Sequence, residues 1–217
     1  DLSKAFQCFK KSADYNDKQG LYELAICYQK GEGIKQNISK AIEIYKKLAD
    51  LNQPEALLEL GDIYFNGEGV EQNYSKAVDF YQKAGDLGDI NGFYSLAYCY
   101  GDGNGVDKNT EKMIEYFFKA AEMGNSNAMF DIGNCYFNGE GVEQNYSKAI
   151  EFYQKAAENG CSQGFVSLAR IYYEGKCVEQ NYEKAFELFE KAADQGNLDA
   201  ICNIGYCYEN GNCVEKN

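Results

Sequence analysis

Gly141–Gly160 reads GVEQNYSKAIEFYQKAAENG, and Gly69–Gly88 reads GVEQNYSKAVDFYQKAGDLG, nearly the same twenty residues set 72 positions earlier. The NYSKA motif inside that stretch returns from Asn37 to Ala41, Asn73 to Ala77, Asn109 to Met113, Asn145 to Ala149 and Asn181 to Ala185, at a constant step of 36 residues. The same phase runs back to Asp1 and forward to Asn217, so six units fill the chain without an insertion. Self-similarity at such a period means supersecondary units that stack and bury their apolar faces on one another. The expected architecture is a single α-solenoid over residues 1–217, cut from something longer.

Each unit carries two helical patterns and two glycine-marked turns. Ala149, Ile150, Phe152, Tyr153, Ala156 and Ala157 make an apolar stripe over Tyr146 to Glu158, with Asn145 placed as N-cap and Gly160 closing the helix. A second stripe runs from about Asn127 to Phe137 and ends in NGEGV. The first glycine of that turn recurs as Gly31, Gly67, Gly103, Gly139, Gly175 and Gly211, which suits a positive backbone angle. Twelve short antiparallel helices are therefore expected, and Pro54 falls at a helix start, where it is tolerated.

Positions that recur six times must serve the stacking itself. Tyr28, Tyr64, Tyr100, Tyr136, Tyr172 and Tyr208 share one position, and four residues earlier stand Leu24, Leu60, Leu96, Ile132, Leu168 and Ile204. A small residue follows each of these, Ala25, Gly61, Ala97, Gly133, Ala169 or Gly205, and is read as letting two helix backbones approach closely. Cys27, Cys99, Cys135 and Cys207 precede the tyrosine where Ile63 and Ile171 stand in other units, so they read as small buried hydrophobes; Cys202 also falls on a core position.

Composition narrows the partners. With 21 Lys plus Arg against 34 Asp plus Glu, the 217-residue chain has a net charge of -13, which repels nucleic acid and anionic lipid surfaces. No apolar run is long enough for a membrane helix. The absence of histidine removes Ser-His and Cys-His nucleophile pairs and His-bearing zinc sites, so neither catalytic residues nor a cofactor or metal are expected.

LGDIYFNGEGV at residues 60 to 70, followed by NYSKAVDFYQKAGDLG at 73 to 88, resembles the Sel1-like repeat, a branch of the tetratricopeptide-type helical arrays. The chain departs from the pattern at Cys177 and Cys213, which replace the second loop glycine, and at Gly85, which interrupts an alanine pair. The resemblance implies a right-handed superhelix that acts as an adaptor or scaffold for other proteins. The family's cysteine-rich branch staples each helix pair with cysteines about eight apart, but Cys161 has Tyr153 eight residues before it, so a reducing intracellular compartment is expected. The β-lactamase activity credited to some of that branch is a further alternative, for which no base is in view. The sequons at Asn37, Asn73 and Asn145 would suit the lumen of the endoplasmic reticulum, but each also occupies an N-cap.

By similarity to tetratricopeptide arrays, the helix carrying LGxxY lines the concave face, and its non-core positions are the candidate contacts. They are Asn91 and Asn127 near the helix start, Asp131 and Asn203 in the middle, then Tyr98, Asn134, Arg170 and Tyr206, and Phe137 and Tyr173 near the end. Asparagines can donate and accept along a peptide backbone, while tyrosine and arginine supply anchoring contacts. Arg170, the chain's only arginine, is either such an anchor or an ordinary surface charge. Replacing Tyr98, Asn134 and Arg170 together is expected to abolish partner capture and leave melting unchanged. The competing reading is a passive spacer between domains of a longer chain. Acids also end the first helix of every unit, at Asp14, Asp50, Asp86, Glu122, Glu158 and Asp194, against the helix dipole, and pairing to the preceding lysine is the only account the sequence suggests.

Overall fold

The structure is a computed structural model that describes residues 1–211, so Cys213 and the last loop lie outside the described residues. It is all-helical there: α1 (Leu2–Asp14), α2 (Lys18–Lys30), α3 (Ile38–Asp50), α4 (Pro54–Asn66), α5 (Tyr74–Asp86), α6 (Ile90–Asp102), α7 (Thr110–Glu122), α8 (Ser126–Asn138), α9 (Tyr146–Glu158), α10 (Ser162–Glu174), α11 (Tyr182–Asp194) and α12 (Leu198–Asn210). The chain forms two compact units, Asp1–Tyr116 and Phe117–Asn217. Each is a stack of helix pairs.

Local chemistry sets the helix ends. Asn37, Asn73, Asn109, Asn145 and Asn181 each accept from the backbone N–H three residues on, so the asparagines of the sequons are working N-caps. Even-numbered helices end on a left-handed glycine, Gly31 to Gly211, as the repeated NGEGV turn required. The turn after each odd-numbered helix also needs a positive angle, supplied by Gly88, Gly124, Gly160 and Gly196 but by Asn16 and Asn52 in the first two turns. Asparagine is the one ordinary substitute, because its short amide tolerates that region. Cys177 keeps the positive angle of the loop glycine it replaces, at φ 60°.

The core is built on the recurring stripe, with Leu60, Ile63, Leu96 and Ile132 fully enclosed, each side chain contributing roughly 1.5 to 3 kcal/mol of transfer free energy. Cys27, Cys99, Cys135 and Cys207 are all buried, and burial raises the thiols of Cys99 and Cys135 to about 12, so they stay protonated and apolar. Cys202 differs: it is exposed, because within the described residues no further helix covers that side of α12.

Two packing expectations need correction. The small residue after the leucine makes room for a ring rather than for a backbone: a Cβ on Gly61 would lie 2.4 Å from the Tyr81 ring, and one on Gly133 would lie 2.6 Å from Tyr153. Close backbone approach occurs five residues earlier in the unit, where a Cβ on Gly92 would meet the Gly85 nitrogen at 2.4 Å. The recurring tyrosine is half-buried from Tyr28 to Tyr172 and exposed at Tyr208, not enclosed. Its outer face lies under the lysine of NYSKA, with the Lys76 ammonium 5.1 Å from the Tyr64 ring and the Lys148 ammonium 4.9 Å from that of Tyr136, a contact that contributes about 0.5 to 1 kcal/mol where exposed.

The terminal acids are not held by the preceding lysine. Lys47 pairs with Glu43 at 3.0 Å and Lys155 with Glu151 at 2.7 Å, one turn back along the helix. Asp86 and Glu158 instead accept from the amides of Gln82 and Gln154, at 2.9 and 3.0 Å.

Candidate functional site

Side chains on consecutive even-numbered helices touch at α2 and α4 in the first unit and at α10 and α12 in the second. In the first unit the Tyr22 hydroxyl on α2 donates to Glu59 Oε1 on α4 at 3.3 Å. In the second, Gln163 Nε2 on α10 donates to Asp199 Oδ2 on α12 at 3.4 Å.

The first unit's surface is acidic. Burial, then repulsion by Asp62, pushes the Glu59 carboxyl above the usual range, and burial does the same to Asp62 despite the bond it accepts from the Tyr81 hydroxyl at 2.7 Å. Of the candidate residues here, Asn91 is exposed at the start of α6, and Tyr98 is exposed with its ring edge-on to Tyr94 and the two hydroxyls 3.3 Å apart.

The second unit carries the other eight candidates, and they separate into two groups. Asn134 accepts from the hydroxyl of core Tyr153 at 2.9 Å and donates to Asp131 Oδ1 at 3.4 Å. Phe137 packs edge-on against Tyr146 at 5.3 Å, with the Lys176 ammonium 4.4 Å above its ring. Asn127 is exposed near the start of α8. Arg170, Tyr173, Asn203 and Tyr206 come together instead, lining a groove of about 280 Å³ between α10 and α12. Glu174, Phe189 and Asn210 complete its walls.

The division has a physical origin in the aromatic residue 19 positions further along. Behind the tyrosines Tyr81 and Tyr153 the hydroxyl needs an acceptor, and Asp62 or Asn134 supplies one, whereas Tyr45 donates to Gln29 instead. Phe189 has no hydroxyl, so Arg170 has nothing of that kind to bind and stands exposed, making no hydrogen bond or ion pair among the described residues. Buried Phe189 becomes an apolar floor under a rim of one guanidinium, two phenols, two amides and a carboxylate. Asn203 is steadied by donating to the Asp199 carbonyl at 2.7 Å, which leaves its amide oxygen and second N–H to face the groove.

Three wall residues escaped the sequence reading, though their spacing carried a signal. Glu174 is one turn beyond Arg170, Asn210 is one turn beyond Tyr206, and Phe189 stands at the repeat position of Tyr45, Tyr81 and Tyr153. Among the described residues no cluster of acids and cysteines is arranged to hold a metal ion, and no helix is long and apolar enough to cross a membrane.

The Sel1 repeat model matches residues 1–17, 18–53, 54–89, 94–125, 126–161, 166–197 and 198–217. Its frame begins each unit at an even-numbered helix, so the first and last matches hold one helix each and the unit boundaries shift by half a period from the reading above. Among solved structures, the chain is 34% identical to a protective antigen of uropathogenic Escherichia coli displaying an SLR fold, with a TM-score of 0.85 over 100% of this chain. It spans 46% of that protein's length. A Sel1 repeat protein from Oxalobacter formigenes is 29% identical with a TM-score of 0.88, covering 97% of this chain and 86% of the other. An immunity protein of Pseudomonas aeruginosa, PA5088, is 27% identical with a TM-score of 0.57, covering 84% of this chain and 66% of the other. No curated protein matches. The period, the caps, the twelve helices and these matches together make the chain a member of the Sel1 repeat family, whose arrays generally serve as scaffolds for protein-protein interaction.

Proposed function

We propose that this chain is a non-enzymatic interaction module whose second unit grips a partner peptide in the groove between α10 and α12. The observation that carries the reading is the convergence there of Arg170, Tyr173, Asn203 and Tyr206, residues that vary between repeats and carry binding chemistry. An apolar floor with a polar rim suits a segment that inserts one bulky side chain and hydrogen-bonds its backbone to asparagine. Arg170 selects for a carboxylate beside that anchor, because its planar fork can bind one in two places.

Affinity capture from a lysate of the source cell tests this, comparing the native chain with Arg170→Glu and Tyr206→Ser. Loss of a specific retained protein with either variant, at unchanged helicity, supports groove binding. Identical capture by all three would favour the spacer reading, in which only the length of the array matters.

A further inference from the structure

A second surface lies on the opposite edge of the helix pairs, and it is confined to the first unit. There α1, α3 and α5 end on Asp14, Asp50 and Asp86, where the helix dipole already makes the helix end negative. Asp14 and Asp50 make no hydrogen bond or ion pair among the described residues. The residue after each acid is large, apolar and turned to solvent: Tyr15 is 78% exposed, Leu51 50% and Leu87 44%. The equivalent positions later in the chain are Met123, which is half-buried, and the amides Asn159 and Gln195, so the acid persists while the exposed apolar residue does not.

Between the ends of α3 and α5 this edge opens into a groove of about 520 Å³, with Leu57, Phe80 and Leu87 as apolar lining and Asp50, Asp86 and Lys83 at its rim. Leu87 holds apolar surface in water, and Asp50 adds an unpaired negative charge at a helix end where the dipole disfavours it; one basic, apolar occupant relieves both. An anionic partner is repelled by these carboxylates and by a chain of net charge -13. We infer that the groove between α3 and α5 is a docking site for a basic amphipathic protein segment, which places Leu or Phe against Leu57, Phe80 and Leu87 and Lys or Arg beside Asp50 and Asp86. This site is separate from the α10–α12 groove and does not depend on it.

The test uses the full chain and a fluorescent helical peptide of leucine and lysine, with leucines at i, i+3, i+4 and i+7, followed by anisotropy. Two control peptides replace every lysine by glutamate or every leucine by alanine. The expected result is saturable binding of the leucine-lysine peptide alone, weakened at least tenfold by Leu51→Asn with Leu87→Asn and equally by Asp50→Asn with Asp86→Asn. Asparagine already occupies the equivalent position at Asn159, so the first pair should fold, and unchanged helicity and melting would check it. Hydrogen exchange should then show protection over residues 49–57 and 80–87. The inference is overturned by no binding, by binding that the alanine peptide matches, by variants without effect, or by protection on α10 and α12. Loss of capture in Arg170→Glu with peptide binding intact would separate the two surfaces.

Discussion

Tyr81 in the first unit and Tyr153 in the second occupy the same repeat position, each lies against a glycine, and each donates its hydroxyl to the residue 19 positions earlier. The acceptors differ: Asp62 at 2.7 Å in one unit, Asn134 at 2.9 Å in the other. One geometry thus serves a partly buried charge in the first unit and a neutral amide in the second. The next repeat of the second unit goes a step further, because Phe189 removes the hydroxyl and Arg170 is left exposed at the groove. A variable position in this array is therefore not automatically a binding position. On the proposed reading it is available for outward contact only where the core aromatic behind it asks for nothing.

The largest effect should come from the glycine under the ring. Gly133→Ala puts a Cβ 2.6 Å from Tyr153 and should cost about 2 kcal/mol as the ring is displaced. Adding Tyr153→Phe recreates the native Ala169 and Phe189 combination and should recover part of the loss. Gly205→Ala, with nothing near its Cβ, should be neutral or mildly stabilising. Denaturant unfolding of the three variants checks the pattern, and equal costs at Gly133 and Gly205 would break it.

A smaller effect is expected at Cys177. A side chain held at φ 60° costs about 1 kcal/mol or more, and the equivalent Gly33 and Gly105 have no room for one beside the preceding helix start. Cys177→Gly should raise stability by about 1 kcal/mol, whereas Cys177→Val should lower it; a melting temperature unmoved by glycine would show that the loop has relaxed elsewhere.

The smallest effect sharpens the comparison through pH. The folded chain raises the pKa of Asp62 and Glu59, so it binds those protons more readily than the unfolded chain does. Their contribution to stability should rise as pH falls from neutral through the raised values, and level off below the ordinary carboxylate range. Asp62→Asn copies Asn134 into the first unit and should flatten that rise, adding of order 1 kcal/mol or less at pH 7. Melting curves at pH 7 and pH 5 would show it, and an unaltered pH slope in the variant would assign the effect elsewhere.

Much of the fold was legible because the repeat supplies its own comparison. Asn145 as a cap, Gly139 in a left-handed turn and Cys99 in the core were each read from recurrence, and the structure places them so. Recurrence says less about direction. Tyr64 recurs like a core residue, yet it is sandwiched between Phe80 and a lysine, since periodicity marks a constrained position without saying what lies on its far side. The binding surface was legible as a list of positions, not as a site. Asn134 belongs to the list but is tied to Tyr153 across 19 residues, a pairing visible only when two variable positions are compared together. For the same reason the combined replacement of Tyr98, Asn134 and Arg170 is a poor probe, because it removes a structural bond along with a candidate contact.

The most direct test separates those roles by measuring thermal stability and partner capture in Asn134→Ala and Arg170→Ala side by side. Asn134→Ala leaves the Tyr153 hydroxyl without its acceptor, so it should cost about 1 to 2 kcal/mol and lower the melting temperature by several degrees, with capture retained. Arg170→Ala should leave melting unchanged and abolish capture. The opposite pattern, with binding lost at Asn134 and stability lost at Arg170, would contradict the division of the variable positions into ties and contacts.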